Sequence, residues 1–107
     1  MLDITPEHLQ IVRDILQKNI PRREVWAFGS RVKGTAKRYS DLDLAVIGET
    51  PLSLSEHADL SDDFSESDLP WRVDIVDWAT TSENFRNIIK RQYIVLQCAD
   101  ENQADSA

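Results

Sequence analysis

The chain has 107 residues and a mass of 12.3 kDa, 41% of it hydrophobic by residue, which allows one modest core and is too short for two ordinary globular domains. A formal charge of -7 argues against a chain that grips a nucleic-acid backbone by itself, and no apolar run approaches the roughly 20 residues needed to cross a bilayer. The opening Met1-Leu2-Asp3-Ile4-Thr5 lacks the basic and apolar regions of a secretory signal, and the single cysteine, Cys98, has no disulfide partner, so a cytosolic protein is expected.

In chain order, Thr5 is suited to cap and Pro6 to open a helix over residues 6–18, with Leu9, Ile11, Val12, Ile15 and Leu16 as its apolar stripe. Asn19-Ile20-Pro21 ends it. The run Val25-Trp26-Ala27-Phe28 predicts a short buried strand that stops at Gly29. A polar connection containing Gly34 follows. Between residues 31 and 38 it carries Arg31, Lys33, Lys37 and Arg38 and no acid, a local cationic loop suited to a small polyanion.

A second strand is predicted over 42–47, ended by Gly48. Residues 49–70 hold Glu49, Glu56, Asp59, Asp62, Asp63, Glu66 and Asp68 with no Lys or Arg, so this segment carries -7 and the remainder sums to zero. After Pro51 it reads as a helix with His57, Leu60 and Phe64 on its packed face, closed by Pro70. Residues 72–78 predict a third strand and 83–93 a last helix, capped by Ser82 and packing through Phe85, Ile88, Ile89 and Tyr93. Trp26, Trp71 and Trp78 read as core and surface-cover aromatics, and Cys98 as a buried or half-buried apolar residue. The expected fold is α/β (α+β), a small mixed sheet of three to four strands packed with helices; residues 1–98 form the domain and 99–107 an acidic, disordered tail.

The chemistry concentrates at two turns. Gly29 lets the backbone bend sharply and approach a ligand closely, and Ser30 adds a hydroxyl beside main-chain N–H groups, so the pair can cradle phosphate oxygens. Ten residues further on, Asp41-Leu42-Asp43 sets two carboxylates on one face of a strand while Leu42 and Leu44 face the core. Asp74, inside the apolar run Val73-Asp74-Ile75-Val76, is costly to bury unless paired or bound to metal. Three carboxylates converging from adjacent strands suit Mg²⁺, and such a site can hold two ions about 3.5 to 4 Å apart for an in-line displacement at phosphorus. Asp77 competes with Asp74 but lies on the opposite strand face. Ser40-Asp41 is also ordinary turn chemistry, and the cations of 31–38 also read as a solvated loop.

Gly29-Ser30, ten residues, then Asp41-Leu42-Asp43 resembles the signature of the DNA polymerase β-like nucleotidyltransferases, and the stretch to Leu44-Ala45-Val46 resembles their minimal branch. Asp74-Ile75-Val76-Asp77 is similar to the strand that carries that family's third carboxylate. The resemblance implies that Asp41 and Asp43 ligate Mg²⁺ and that Asp74 completes the site and helps deprotonate the acceptor. It further implies that Ser30 and the Gly29 backbone hold the β- and γ-phosphates of ATP. Arg31 is then a further phosphate contact, with Lys37 and Arg38 weaker candidates.

Minimal nucleotidyltransferases of this kind are similar to the antitoxins of toxin–antitoxin pairs whose toxin is a helical HEPN ribonuclease, and the implied reaction is transfer of AMP to a tyrosine of that toxin. With Gly29, Ser30, Asp41, Asp43 and Asp74 all present, a catalytically competent antitoxin is expected, its acidic segment facing a basic surface of the toxin. Two other readings stand beside it. One is a non-catalytic antitoxin that neutralises by binding alone; the other is a small-molecule, antibiotic-type nucleotidyltransferase whose acceptor wall comes from a second copy.

Overall fold

The computed structural model describes residues 2–99; from residue 100 onward, the expected disordered tail lies outside the described residues. Thr5 caps the first helix, α1 (Pro6–Asn19), its hydroxyl accepting from the His8 N–H at 3.2 Å. Strand β1 (Val25–Phe28) follows, then one turn of helix, α2 (Ser30–Lys33), inside what the sequence presents as a plain connection. Next come β2 (Leu42–Val46), α3 (Leu54–Ser65), β3 (Val73–Asp77), a short 3₁₀ turn (Trp78–Thr80), α4 (Glu83–Arg91) and β4 (Ile94–Gln97). Ser53 and Glu56 form a reciprocal capping box at the start of α3.

The four strands lie in the order β3-β2-β1-β4, with β2 and β3 parallel and both other pairs antiparallel. Parallel strands cannot be joined by a tight turn, and α3 supplies the crossover. On one sheet face α1 and α3 bury Val12, Leu16, Leu60 and Phe64 against Val25, Ala27, Leu42, Leu44, Val46 and Leu96. Fully buried leucines such as Leu16, Leu44 and Leu60 each stabilise the fold by roughly 1.5–3 kcal/mol. On the other face α4 covers a smaller cluster of Phe28, Ala45 and Ile89, ringed by Trp26, Val76 and Trp78. α4 covers only part of this face, and the acids described below share it.

Several expectations change. The last helix stops at Arg91, because Gln92 turns extended (φ -159°, ψ 110°) and the apolar run that follows joins the sheet beside β1 as β4. Tyr93 therefore stacks on Trp26, ring centroids 3.9 Å apart, instead of extending the helical stripe. His57 is exposed on α3, while Leu60 and Phe64 are buried. Cys98 is also exposed, because β4 ends one residue earlier and the chain leaves the sheet there. The α3 acids Glu56, Asp59 and Asp62 face outward; Asp63 instead accepts from Asn19 Nδ2 (2.8 Å) and pairs with Lys18 (3.3 Å), which holds its carboxyl below the usual range and ties α3 to α1.

Asp77 is a structural acid. Its Oδ2 accepts the Leu52 N–H at 3.0 Å and its Oδ1 lies 3.7 Å from Arg23 Nη2, which itself donates to Thr50 O at 2.6 Å. The charges are near, but 3.7 Å is too long for a hydrogen bond, and among the described residues Arg23 Nε and Asp77 Oδ1 have no partner. Asp77→Ala would leave a buried N–H and a guanidinium worse satisfied, so a loss of about 1–3 kcal/mol in urea or thermal melts is expected. An unchanged melt would show that Asp77 does not brace the segment before α3.

Candidate active site

β1 and β2 run antiparallel with Phe28 opposite Asp43, and β2 and β3 run parallel with Asp43 opposite Asp74. This register lays Asp74, Asp43 and Phe28 in one row across the sheet, on the face away from the larger core. Neighbouring strands lie about 4.8 Å apart, so the two carboxylates are adjacent. Asp41 stands just before β2, two residues from Asp43 and on the same side by strand alternation. Asp41 and Asp74 are exposed and Asp43 is half-buried. Asp74 therefore escapes the burial cost that its apolar neighbours suggest, because its side of the strand is open; its cost is repulsion from the acid opposite.

The electrostatics follow. Asp43 has its carboxyl pushed up to about 6, first by burial, then by the charges of Asp74 and Asp41. Neither ion pair of the described residues involves these three acids. Because the folded state holds the Asp43 proton more tightly than the unfolded chain, this strain is absent below about pH 3.8, grows as pH rises, and is complete above about pH 6. Asp43→Asn is accordingly expected to raise the melting temperature of the metal-free protein at pH 7.5 and to change it little at pH 4. A variant less stable than the parent at pH 7.5 would refute the repulsion.

Gly29 follows Phe28 at the end of β1 with φ +84°, and a Cβ placed there would come 2.1 Å from Asp43 Oδ2. The position thus needs glycine twice over, for its backbone and for the space the carboxylate uses. Gly29 O accepts the N–H groups of Val32 and Lys33 at 3.0 Å each, so α2 starts directly on this turn. The first N–H groups of any helix have no intrahelical acceptor, and here they begin at Ser30, beside the acid row. Among the described residues the Ser30 hydroxyl makes no hydrogen bond, which leaves it available to a ligand.

The structure brings together Gly29, Ser30, Asp41, Asp43 and Asp74. It does not bring the Arg31 guanidinium to them as a free cation. That side chain is buried and bonded to main-chain carbonyls, so the expected side-chain contact with phosphate gives way to a structural role. Lys37 and Arg38 are exposed, with the Arg38 guanidinium over the ring of the equally exposed Tyr39. Phe85 on α4 stands edge-on to Phe28 at 5.8 Å and is 36% exposed, an apolar wall at the end of the acid row. Its helical spacing suggests only core, because the sequence does not say that Phe28 lies beside Asp43. Trp78 carries two cations over its ring, Arg86 at 5.2 Å and Lys90 at 5.8 Å, and Arg86 also donates twice to Trp78 O.

Among the described residues no three His, Cys, Asp or Glu side chains form a ready-made metal cage. The donor set nevertheless fits Mg²⁺, which is ordinarily held by one or two carboxylates with substrate phosphates and waters completing its shell. The unpaired Asp row and the space kept by Gly29 are the observations that favour a cation.

A mixed sheet with a glycine turn on one strand and acids on the next two is the core of a nucleotidyltransferase. The chain belongs to the polymerase beta nucleotidyltransferase family, which it matches over residues 10–102. It is 62% identical over 96 residues, 90% of this chain and 84% of the relative, to MntA of Haemophilus influenzae, named as a probable protein adenylyltransferase. Among solved structures it is similar to a toxin–antitoxin crystallised with AMP-PNP, with a TM-score of 0.71 and 27% identity, over 88% of this chain and 76% of that one. It also shares the fold of the MNT antitoxin in complex with the tri-AMPylated HEPN toxin of Shewanella oneidensis, with a TM-score of 0.59 and 24% identity, over 90% of this chain and 77% of that one. No helix of the described residues is long and apolar enough to cross a membrane.

Proposed function

We propose that this chain is the antitoxin of a HEPN/MNT-type pair and acts as a protein adenylyltransferase, moving AMP from ATP to a tyrosine hydroxyl of its toxin. The observation that carries this is the Asp43–Asp74 row beside the Gly29-Ser30 turn, in a chain 62% identical to a relative named for that activity. Use of ATP is supported by the AMP-PNP bound to the structural relative. Residues 1–98 serve as the transferase domain, and a cytosolic setting suits both the substrate and the free, exposed Cys98.

Gly29, Ser30 and the main-chain N–H of Arg31 hold the β- and γ-phosphates. Asp41, Asp43 and Asp74 are the catalytic acids and would hold Mg²⁺, taken as two ions, which would supply neutralisation of the phosphate charge. The tyrosine oxygen attacks the α-phosphorus, the new O–P bond forms as the bond to pyrophosphate breaks, and the phenolic proton passes to Asp74. Because Asp41 and Asp74 lie exposed on the sheet face, the acceptor brings its own covering surface. That favours a protein over a small antibiotic, which needs a closed wall.

The test is to incubate the protein with ATP, Mg²⁺ and a cognate HEPN toxin and to read the toxin's intact mass. Gain of one or more AMP units on tyrosine is expected. A toxin that is bound and neutralised without any mass increase would replace this reading with neutralisation by contact alone.

A further inference from the structure

Arg31 is 5% exposed and is the charged residue buried among those described. A buried guanidinium without a carboxylate beside it is costly unless its N–H groups find acceptors. Here Nε donates to Ser40 O and Nη1 to Asp3 O, both at 2.9 Å, while Nη2 donates to Arg38 O at 3.2 Å and reaches Lys37 O at 3.5 Å. The guanidinium lies over the Trp71 ring, 4.6 Å from its centroid. Asp3 N–H returns a bond to Arg31 O at 2.7 Å.

These partners belong to separate stretches of chain, and two of the stretches lead into the acids. Ser40 immediately precedes Asp41, and Trp71 stands three residues before Asp74. The Leu42 N–H donates to Arg72 O at 2.9 Å, which joins the starts of β2 and β3 just where the guanidinium holds the preceding residues from behind. Arg31 itself sits two residues after Gly29, so its backbone is tied to the turn whose missing Cβ makes room for Asp43.

We infer that Arg31 is the positioning residue of the transfer reaction. Its guanidinium clasps the carbonyls of Lys37, Arg38 and Ser40 and the Trp71 ring together and so fixes where Asp41 and Asp74 stand relative to Asp43, while the side chain itself touches no phosphate. The inference rests on the transferase reading above. Lysine cannot replace it fully, since a single ammonium lacks the planar fork that reaches four main-chain carbonyls and stacks on indole at once.

The test uses full-length Arg31→Met and Arg31→Lys proteins with the toxin, ATP and Mg²⁺. A displacement of the acids by about 1 Å costs on the order of 100-fold, so kcat should fall by about that factor in Arg31→Met while KM for ATP stays within about twofold. Arg31→Lys should recover part of the loss, and the Mg²⁺ concentration for half-maximal rate should rise several-fold in both. Hydrogen exchange should quicken at residues 40–42 and 71–74 and stay unchanged in α1 and β1. Should Arg31→Met fail to fold, the same readings on Arg31→Lys decide the matter. A raised KM for ATP with unchanged kcat would make Arg31 a phosphate ligand and overturn the inference, as would unaltered exchange at Leu42. Exchange needs no transfer, so a parent protein that adds no AMP would sink the transferase reading while the exchange data still judged the clasp.

Discussion

Replacing Asp41 and Asp43 together with Asn is expected to abolish AMP transfer, by about 1,000-fold or more, and to leave the protein folded and bound to its toxin. Removal of one preorganised electrostatic contact in an active site typically costs about 100- to 1,000-fold, and here two formal charges leave the same group of acids. The core does not suffer. Leu42 and Leu44 on the other side of β2 keep their full burial, and the substitution removes repulsion from Asp74. Intact-mass time courses report transfer, and co-elution with the toxin reports binding. If the double variant still protects cells from the toxin as well as the parent does, contact alone is sufficient and the acids serve another purpose.

The second large effect is expected at Gly29. Gly29→Ala puts a side chain at φ +84°, ψ -158°, a region essentially reserved for glycine that costs an L-residue roughly 1–3 kcal/mol, and drives the new methyl to 2.1 Å from Asp43 Oδ2. The carboxylate must swing away, so transfer should drop by about 100-fold or more. Gly34→Ala is the internal control, because Gly34 has nearly the same φ, +81°, and nothing within 4 Å of the added Cβ. Gly34→Ala, left-handed with open space around the new methyl, should lose roughly 1–2 kcal/mol, or about 4–16 °C in melting temperature for a domain of this size; Gly29→Ala should lose more, and only it should lose activity. Equal activity in the two would show that the space beside Asp43 has no part in the reaction.

Both results turn on the same geometric fact, that β1 ends in the Gly29 turn and β2 sets Asp43 beside it on one face of adjacent strands. α4 approaches that face through Ile89 but leaves Phe85 36% exposed, so an aromatic edge stands at the end of the row that carries the carboxylates.

Features that depend on neighbours along the chain were legible before any folding. Alternation of side chains along a strand puts Asp41 and Asp43 on one side and separates Asp74 from Asp77, and the structure keeps that division, with Asp77 occupied by the Leu52 N–H and Asp74 free on the open face. Caps were equally legible, since Thr5 and Ser82 act within three residues of themselves. Features that depend on distant partners emerged with the packed fold. That Asp43 faces Asp74 follows from the parallel register of β2 and β3, which α3 and its buried Leu60 and Phe64 set from outside both strands. That 94–97 is a strand follows from the open edge of β1, and that Arg31 is buried follows from main-chain carbonyls, which every residue possesses and none advertises. Local periodicity is written into each segment, whereas register and the gathering of carbonyls around a guanidinium arise only when segments far apart in sequence pack together.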